Sequence, residues 1–583
     1  ATGSNNTFVG SEAGKGGQTS APYSSGEQNT AIGYQAGYLI SSGSYNVAMG
    51  YQAGYSLGGT FSNVMIGNYA GALSNTINNR HTYVGDAAGR YIDTGVANVA
   101  IGYQAMESAG SGNDASYNTA VGYQALESIT DADYNTAIGQ SAGKNITTGG
   151  QNVFIGNSAG NASISSLYNV MIGVSAGLVA TDVDSTVLIG WNAGRNTTAD
   201  GTIAIGHNAM YEHTTGARNI AIGYSAMQGT NAGSTSLGST DNIFMGYSAG
   251  AGTWADAASN GNIGIGTYVM DAAMNGALYN TAVGAYAASA ITSADNVVAI
   301  GNSAAYSLTT GANNVAIGTN AMKVHTTGER NMAIGTNAMD DTDAGSTSLG
   351  SEDNVFIGHD AGGGTWADAA SSYNVAIGNY TMDSALNGAI YNTAIGYNAL
   401  SSVTTGDYNN VIGWNAGVNI TTGASNIFMG RDAGFKMVSG SQNTVIGDSA
   451  MYHNMGSNHN TVIGSSAGYN ISTAASSVFI GVKAGYANRT GTGVIAIGYE
   501  AMGGTAGTQE GHGIAIGYRA MFEVEDGSSG IAIGNSALDH LVGGYTVGIG
   551  NSAGYYATGS FNTFVGFSAG QGGTTSAPYS SGE

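Results

Sequence analysis

One short hydrophobic pattern recurs along the entire chain. Each copy runs Asn, then Thr or Val, an apolar residue, Ile or Val, Gly, two variable residues, Ala, and finally Gly, Met or Leu. Examples are Asn29-Thr-Ala-Ile-Gly33-Tyr-Gln-Ala36-Gly37 and Asn152-Val-Phe-Ile-Gly156-Asn-Ser-Ala159-Gly160. Thirty-two copies place their Gly between Gly10 and Gly566, most often 17 residues apart. The apolar runs are short, rich in Val, Ile, Thr and Phe, and bounded by Gly, Asn and Ser, which are strand signals. A 17-residue period is too short for a helix–turn–helix repeat, which needs about 33 residues. The pattern predicts an all-β parallel β-solenoid of about 32 coils, with two short strands per coil. Coils stacked ~4.8 Å apart would make a rod of roughly 150 Å.

The tolerances refine this picture. The residue three after the Gly is Ala in 30 of 32 copies, with Val269 and Thr381 the exceptions, so that position is expected to be tightly packed. The residue four before the Gly is Asn in 23 of 32 copies, the mark of a ladder in which each amide bonds to the next coil. Strand alternation then assigns faces. With Ile32 pointing into the coil, Thr30 is inward and Ala31 outward. The outward stripe would hold Phe8, Met65, Phe154, Met171, Leu188, Phe244, Phe356, Phe428, Phe479 and Phe564. An outward apolar stripe of that extent is not ordinary monomer surface. It predicts side-by-side association of rods through Phe8, Met65, Phe154, Met171, Phe244, Phe356, Phe428, Phe479 and Phe564. The alternative is a single wide roll that buries both strand faces.

Insertions lengthen some steps to 23 residues, ending at Gly33, Gly246 and Gly358, or to 20, ending at Gly122, Gly266 and Gly378. Extra residues in a solenoid bulge out as loops on one face. Trp254 and Trp366 sit in two such loops, either plugging a coil edge or making ligand and lateral contacts.

The repeat resembles the head repeats of YadA-like trimeric autotransporter adhesins, as at Asn98 to Ala105 and Asn314 to Ala321. Its longer form, as at Thr147 to Gly156, resembles repeats of phage tail-fibre-like proteins. The resemblance covers essentially the whole chain through one low-complexity motif. It implies a left-handed β-roll, three chains wide, on a cell surface or virion appendage. The adhesin heads have shorter coils. No heptad stalk, membrane anchor or chaperone domain is seen here.

Two larger periods overlie the coil. Residues 206–317 recur at 318–429, so that Gly252 to Ser259 reappears as Gly364 to Ser371. Residues 1–27 match 557–583 at 22 of 27 positions, and both copies carry Thr-Ser-Ala-Pro-Tyr-Ser-Ser-Gly-Glu. The chain therefore reads as a single continuous array over 1–583, with one superrepeat over 1–556 and the start of the next at 557–583. It looks like a window from a longer tandem array: Ala1 opens it like a cut end, and no cap closes either terminus.

Composition removes most other classes. Asp and Glu number 36 against 13 Lys and Arg, a net charge of −23, which disfavours nucleic acid. No apolar run reaches the ~18 residues of a membrane helix in this segment. Gly is 97 of 583 but without a three-residue period, and only two Pro occur, so this is not collagen. The absence of Cys excludes disulfides and thiolate metal sites. The nine His form no metal-binding pair with Glu, and no phosphate loop appears. The acidic loops Asp131-Ala-Asp133 and Asp340-Asp-Thr-Asp343 are read as solvated rather than metal-holding. No catalytic, cofactor or metal site is expected, and the chain is not read as an enzyme.

The expected function is a structural extracellular fibre or filament shaft whose partner is itself, as a homotrimer or a longer end-to-end array. The alternative is an adhesin or receptor-binding tail-fibre-like protein that meets a cell-surface ligand through its insertion loops. Ice binding is set aside because the regular Thr is placed inward.

Overall fold

A computed structural model describes residues 3–16, 25–73, 80–108, 110, 112–230, 238–255, 257–342, 350–504, 512–524, 529–572 and 579–580. The two Pro-containing segments therefore lie largely outside the described residues, as does Asp343. The chain is an all-β parallel β-solenoid of about 30 turns of ~17 residues, with no helix among the described residues. It forms two compact units, residues 1–293 and 294–583. In each, every coil contributes one three-residue strand, from Thr7–Val9 to Thr281–Val283 in the first unit and from Val298–Ile300 to Thr563–Val565 in the second.

Register follows directly from the repeat. Val153, Phe154 and Ile155 pair in parallel with Val170, Met171 and Ile172, and those with Val187, Leu188 and Ile189. Identical positions therefore stack on one another, and any preference of a motif position is multiplied along the unit. The expected second strand is reduced to isolated bridges such as Ser44 with Phe61 and Ile92 with Asn113, and to one two-residue pairing of Ala557–Thr558 with Tyr579–Ser580. The rest of the coil is turn. Its amides still bond between coils: Ser158 N–H donates to Gln140 O at 2.8 Å and Gly160 N–H to Ala176 O at 2.9 Å. The motif Gly starts this turn. Gly156 has φ of 129°, and a Cβ there would stand 2.5 Å from Gly173 O, so only glycine fits.

The strand faces are the reverse of the sequence expectation. Phe154 is fully buried while Val153 and Ile155 are partly exposed, and this order holds in nearly every strand. Met65, Met171, Leu188, Phe244, Phe356, Phe428 and Phe479 are likewise fully buried, Phe564 is 9% exposed, and Phe8 is partly covered. These side chains are the core of the coil and do not form an association stripe. The Ala three after the Gly is inward, as expected: Ala36, Ala159 and Ala321 are fully buried.

The physical reason is the asparagine. Asn152 is fully buried, and alternation puts Phe154, two residues on, on the same side. Its Oδ1 accepts from the backbone and side-chain amides of Asn169, both at 3.0 Å. Its Nδ2 donates to Asn135 Oδ1 at 3.0 Å and to Ser166 O at 2.7 Å. A buried amide with every donor and acceptor used is stable only inside the coil. The ladder runs on through Asn354, Asn374, Asn392, Asn409, Asn426, Asn443 and Asn460 in the second unit.

Candidate functional surface

What the coil turns outward follows from the same alternation. In Tyr117-Asn-Thr-Ala-Val-Gly-Tyr123 the buried residues are Asn118 and Ala120, while Thr119 and Val121 face out, partly exposed. Tyr117 and Tyr123 flank them, 51% and 48% exposed. The third residue of every motif strand is Ile, Val or Met. Ile101, Ile138 and Ile265 are 40–41% exposed and Met429 44%. An outward apolar stripe is thus present, but it is made of the opposite strand residues. The same reversal brings Thr30, Thr82, Thr119 and Thr136 outward. Thr is therefore not inward, as the case against ice binding required. The adjoining row of Ile, Val and Met nevertheless prevents a continuous threonine array.

Aromatic rows border the stripe. Tyr34 stacks on Tyr51 with ring centroids 5.4 Å apart, Tyr103 on Tyr123 at 5.3 Å, and Tyr117 on Tyr134 at 5.0 Å. A longer row passes from Trp191 through His207, Tyr224, Tyr247 and Tyr268 to Tyr286.

The insertion-loop tryptophans face inward. Trp254 is 1% exposed and packs on Phe244, while its Nε1–H donates to Gly250 O at 3.2 Å. Trp366 is fully buried against Phe356, with Nε1–H donating to Gly362 O at 3.0 Å. The repeated geometry reflects the 206–317 and 318–429 duplication. Both rings plug the coil and are not available as loop contacts.

Ionisable groups inside the coil serve the ladder. His81 takes an asparagine position: its backbone N–H donates to Asn63 Oδ1 at 2.8 Å, and its Nδ1 accepts from Asn98 N–H at 3.1 Å. Burial holds its pKa down at about 4, so the ring is neutral, and it stacks on Tyr83. His213 and His325 lie elsewhere in the coil, each seven residues after its motif glycine, buried and bonded to a threonine one coil on: Thr230 at 2.9 Å and Thr342 at 2.8 Å. Among the described residues no group of three or more His, Asp or Glu is placed to hold a metal ion. A shallow depression of about 300 Å³ is lined by Met455, Gly456, Ser457, Ser472 and Thr473, none of them an acid or base.

No family model matches the chain, and no curated protein matches it. The likeness to adhesin-head and tail-fibre coils therefore rests on the repeat motif itself.

Proposed function

We propose that the chain is the shaft of an extracellular fibre, assembled from copies of itself, three around an axis, joined through the outward strand face. The observation that carries this reading is the exposed row of Ile, Val and Met that recurs coil after coil. Sixteen strands spaced ~4.8 Å apart give each unit a stripe about 75 Å long; at two side chains, or ~13 Å, wide it presents on the order of 1,000 Å². A stable interface takes about 800 Å² from each partner, and exposed apolar patches on monomers rarely exceed a few hundred Å². Apolar burial at about 25 cal/mol per Å² accumulates with every added coil, so long arrays gain stability with length. The low content of charged residues keeps that face free of unpaired charge, while the net −23 elsewhere favours solubility.

The adhesin alternative loses its two tryptophans to the core. Sedimentation velocity on the whole chain tests the fibre reading. The expected result is a trimer that Ile101→Lys together with Ile138→Lys weakens, with the circular dichroism spectrum unchanged. A well-folded monomer at every concentration would overturn it.

A further inference from the structure

Tyrosine occurs 35 times and cysteine not at all. Because the coils stack in register, a tyrosine repeated at one motif position lands on the ring before it. Tyr452, Tyr469 and Tyr486 form such a row, with centroids 5.1 Å apart at each step and ring planes within 13° and 10°. Phe435 begins the row, 4.8 Å from Tyr452 and within 8° of parallel. All four are partly exposed and lie five residues after their motif glycines, in the turn and not in the strand. Association through the strand face would leave them accessible. A second stacked row, Tyr373, Tyr391 and Tyr408, lies five residues before its motif glycines and steps by 4.9 and 5.1 Å.

Rings stacked this closely cover each other's faces. What they offer to solvent is their edges, each with a hydroxyl and the two carbons ortho to it. Such a row is a poor platform for a sugar or base, which needs an open ring face. It is a good arrangement for phenols that react with each other. The geometry points to these rows as sites of oxidative tyrosine cross-linking, in which neighbouring coils become joined by dityrosine bonds. The co-reactant is a one-electron oxidant of the peroxidase class acting on hydrogen peroxide. Each phenol loses one electron and one proton to give a phenoxyl radical. Two radicals form one carbon–carbon bond between ortho positions, and tautomerisation restores both rings. The two electrons and two protons removed reduce one hydrogen peroxide to two waters, and on rearomatisation the two ortho protons move to the phenolic oxygens. No thiol in the chain competes by repairing the radical. The partly exposed side chains swing from stacking distance to bonding distance, and the product staples coils in a chain that has no disulfides.

The test is treatment of the dilute whole chain with a haem peroxidase and hydrogen peroxide. Dityrosine is measured by fluorescence after hydrolysis, and linked peptides are mapped by mass spectrometry. Links within one chain, Tyr452 to Tyr469 or Tyr469 to Tyr486, are expected. Tyr168 and Tyr279 are 57% and 65% exposed and stack on no ring among the described residues, so they control for simple exposure. Tyr469→Phe keeps a stacking ring, as Phe435 does, and is expected to abolish both links while the Tyr373–Tyr391–Tyr408 row still couples. Absence of dityrosine, coupling confined to Tyr168 and Tyr279 between chains, or links in this row that survive Tyr469→Phe would each overturn the proposal.

Discussion

Asn169 donates both its backbone and its side-chain amide to the Oδ1 of Asn152 one coil away, each at 3.0 Å. Removing that oxygen strands two buried donors at once and leaves Ser166 O without its partner from Asn152. Each orphaned group costs about 1–3 kcal/mol. Asn152→Ala is therefore expected to open the coils around it locally, seen as lost hydrogen-exchange protection there. Asn152→Thr is expected to be milder, because Thr186 already accepts that role, its Oγ1 donating to Asn169 Oδ1 at 2.7 Å. Equal loss for the two variants would show that the ladder is not what the amide contributes.

The face assignment has a direct test in neighbouring residues. Phe154→Ala empties a fully buried site and is expected to cost about 3–5 kcal/mol. Ile155→Ala, on the outward face, is expected to cost much less in the isolated chain and to show its effect on assembly. Chemical denaturation monitored beside light scattering separates the two. The opposite order would return Phe154 to the surface.

Ala159 is fully buried in the turn, with Gly160 closing against the Phe154 ring. Ala159→Leu is expected to overpack this corner and cost about 1–3 kcal/mol. Val269 and Thr381 occupy the same position in other coils, so Ala159→Val is expected to be tolerated better. Melting temperatures that do not distinguish Leu from Val would contradict the packing argument.

Two pH responses of opposite sign are expected. Burial, then the carboxylates of Asp341 and Asp360, raise Asp340 to about 6. Burial, then Asp360 and Asp340, raise Asp383 to about 6. Both start from 3.8, so the folded state holds these protons more tightly than the unfolded chain. Their contribution is full below about 3.8 and is lost as pH rises through 6. His81 behaves the other way. Its folded value of about 4 lies below the ordinary 6.5, so stability is full above 6.5 and is lost as pH falls towards 4. Asp383→Asn is expected to flatten the first slope, and His81→Asn, which restores the ladder residue, the second. Hydrogen exchange across pH 4 to 6.5, resolved by segment, reads both; identical slopes in wild type and variants would refute the assignments.

The repeat by itself determined much of this protein. The 17-residue period, the place of each strand, the in-register stacking and the close packing of Ala159 and its equivalents all follow from a motif that returns at fixed spacing. Coils built from one motif stack like on like, so register needs no long-range information. The asparagine ladder was legible for the same reason. Three features waited for the tertiary structure. Which strand face points inward could not be read from hydrophobicity, because Val153, Phe154 and Ile155 are all apolar and alternation carries no sign. The sign comes from Asn152, whose amide is satisfied only inside the coil and takes Phe154 in with it. The second strand was overestimated because turn amides such as Ser158 N–H bond between coils without extended geometry. For Trp254 and Trp366 both plugging a coil edge and outside contacts stayed open, because insertions usually bulge outward. Only the three-dimensional path of the chain turns them back onto Phe244 and Phe356, where burying a large ring outweighs exposing it.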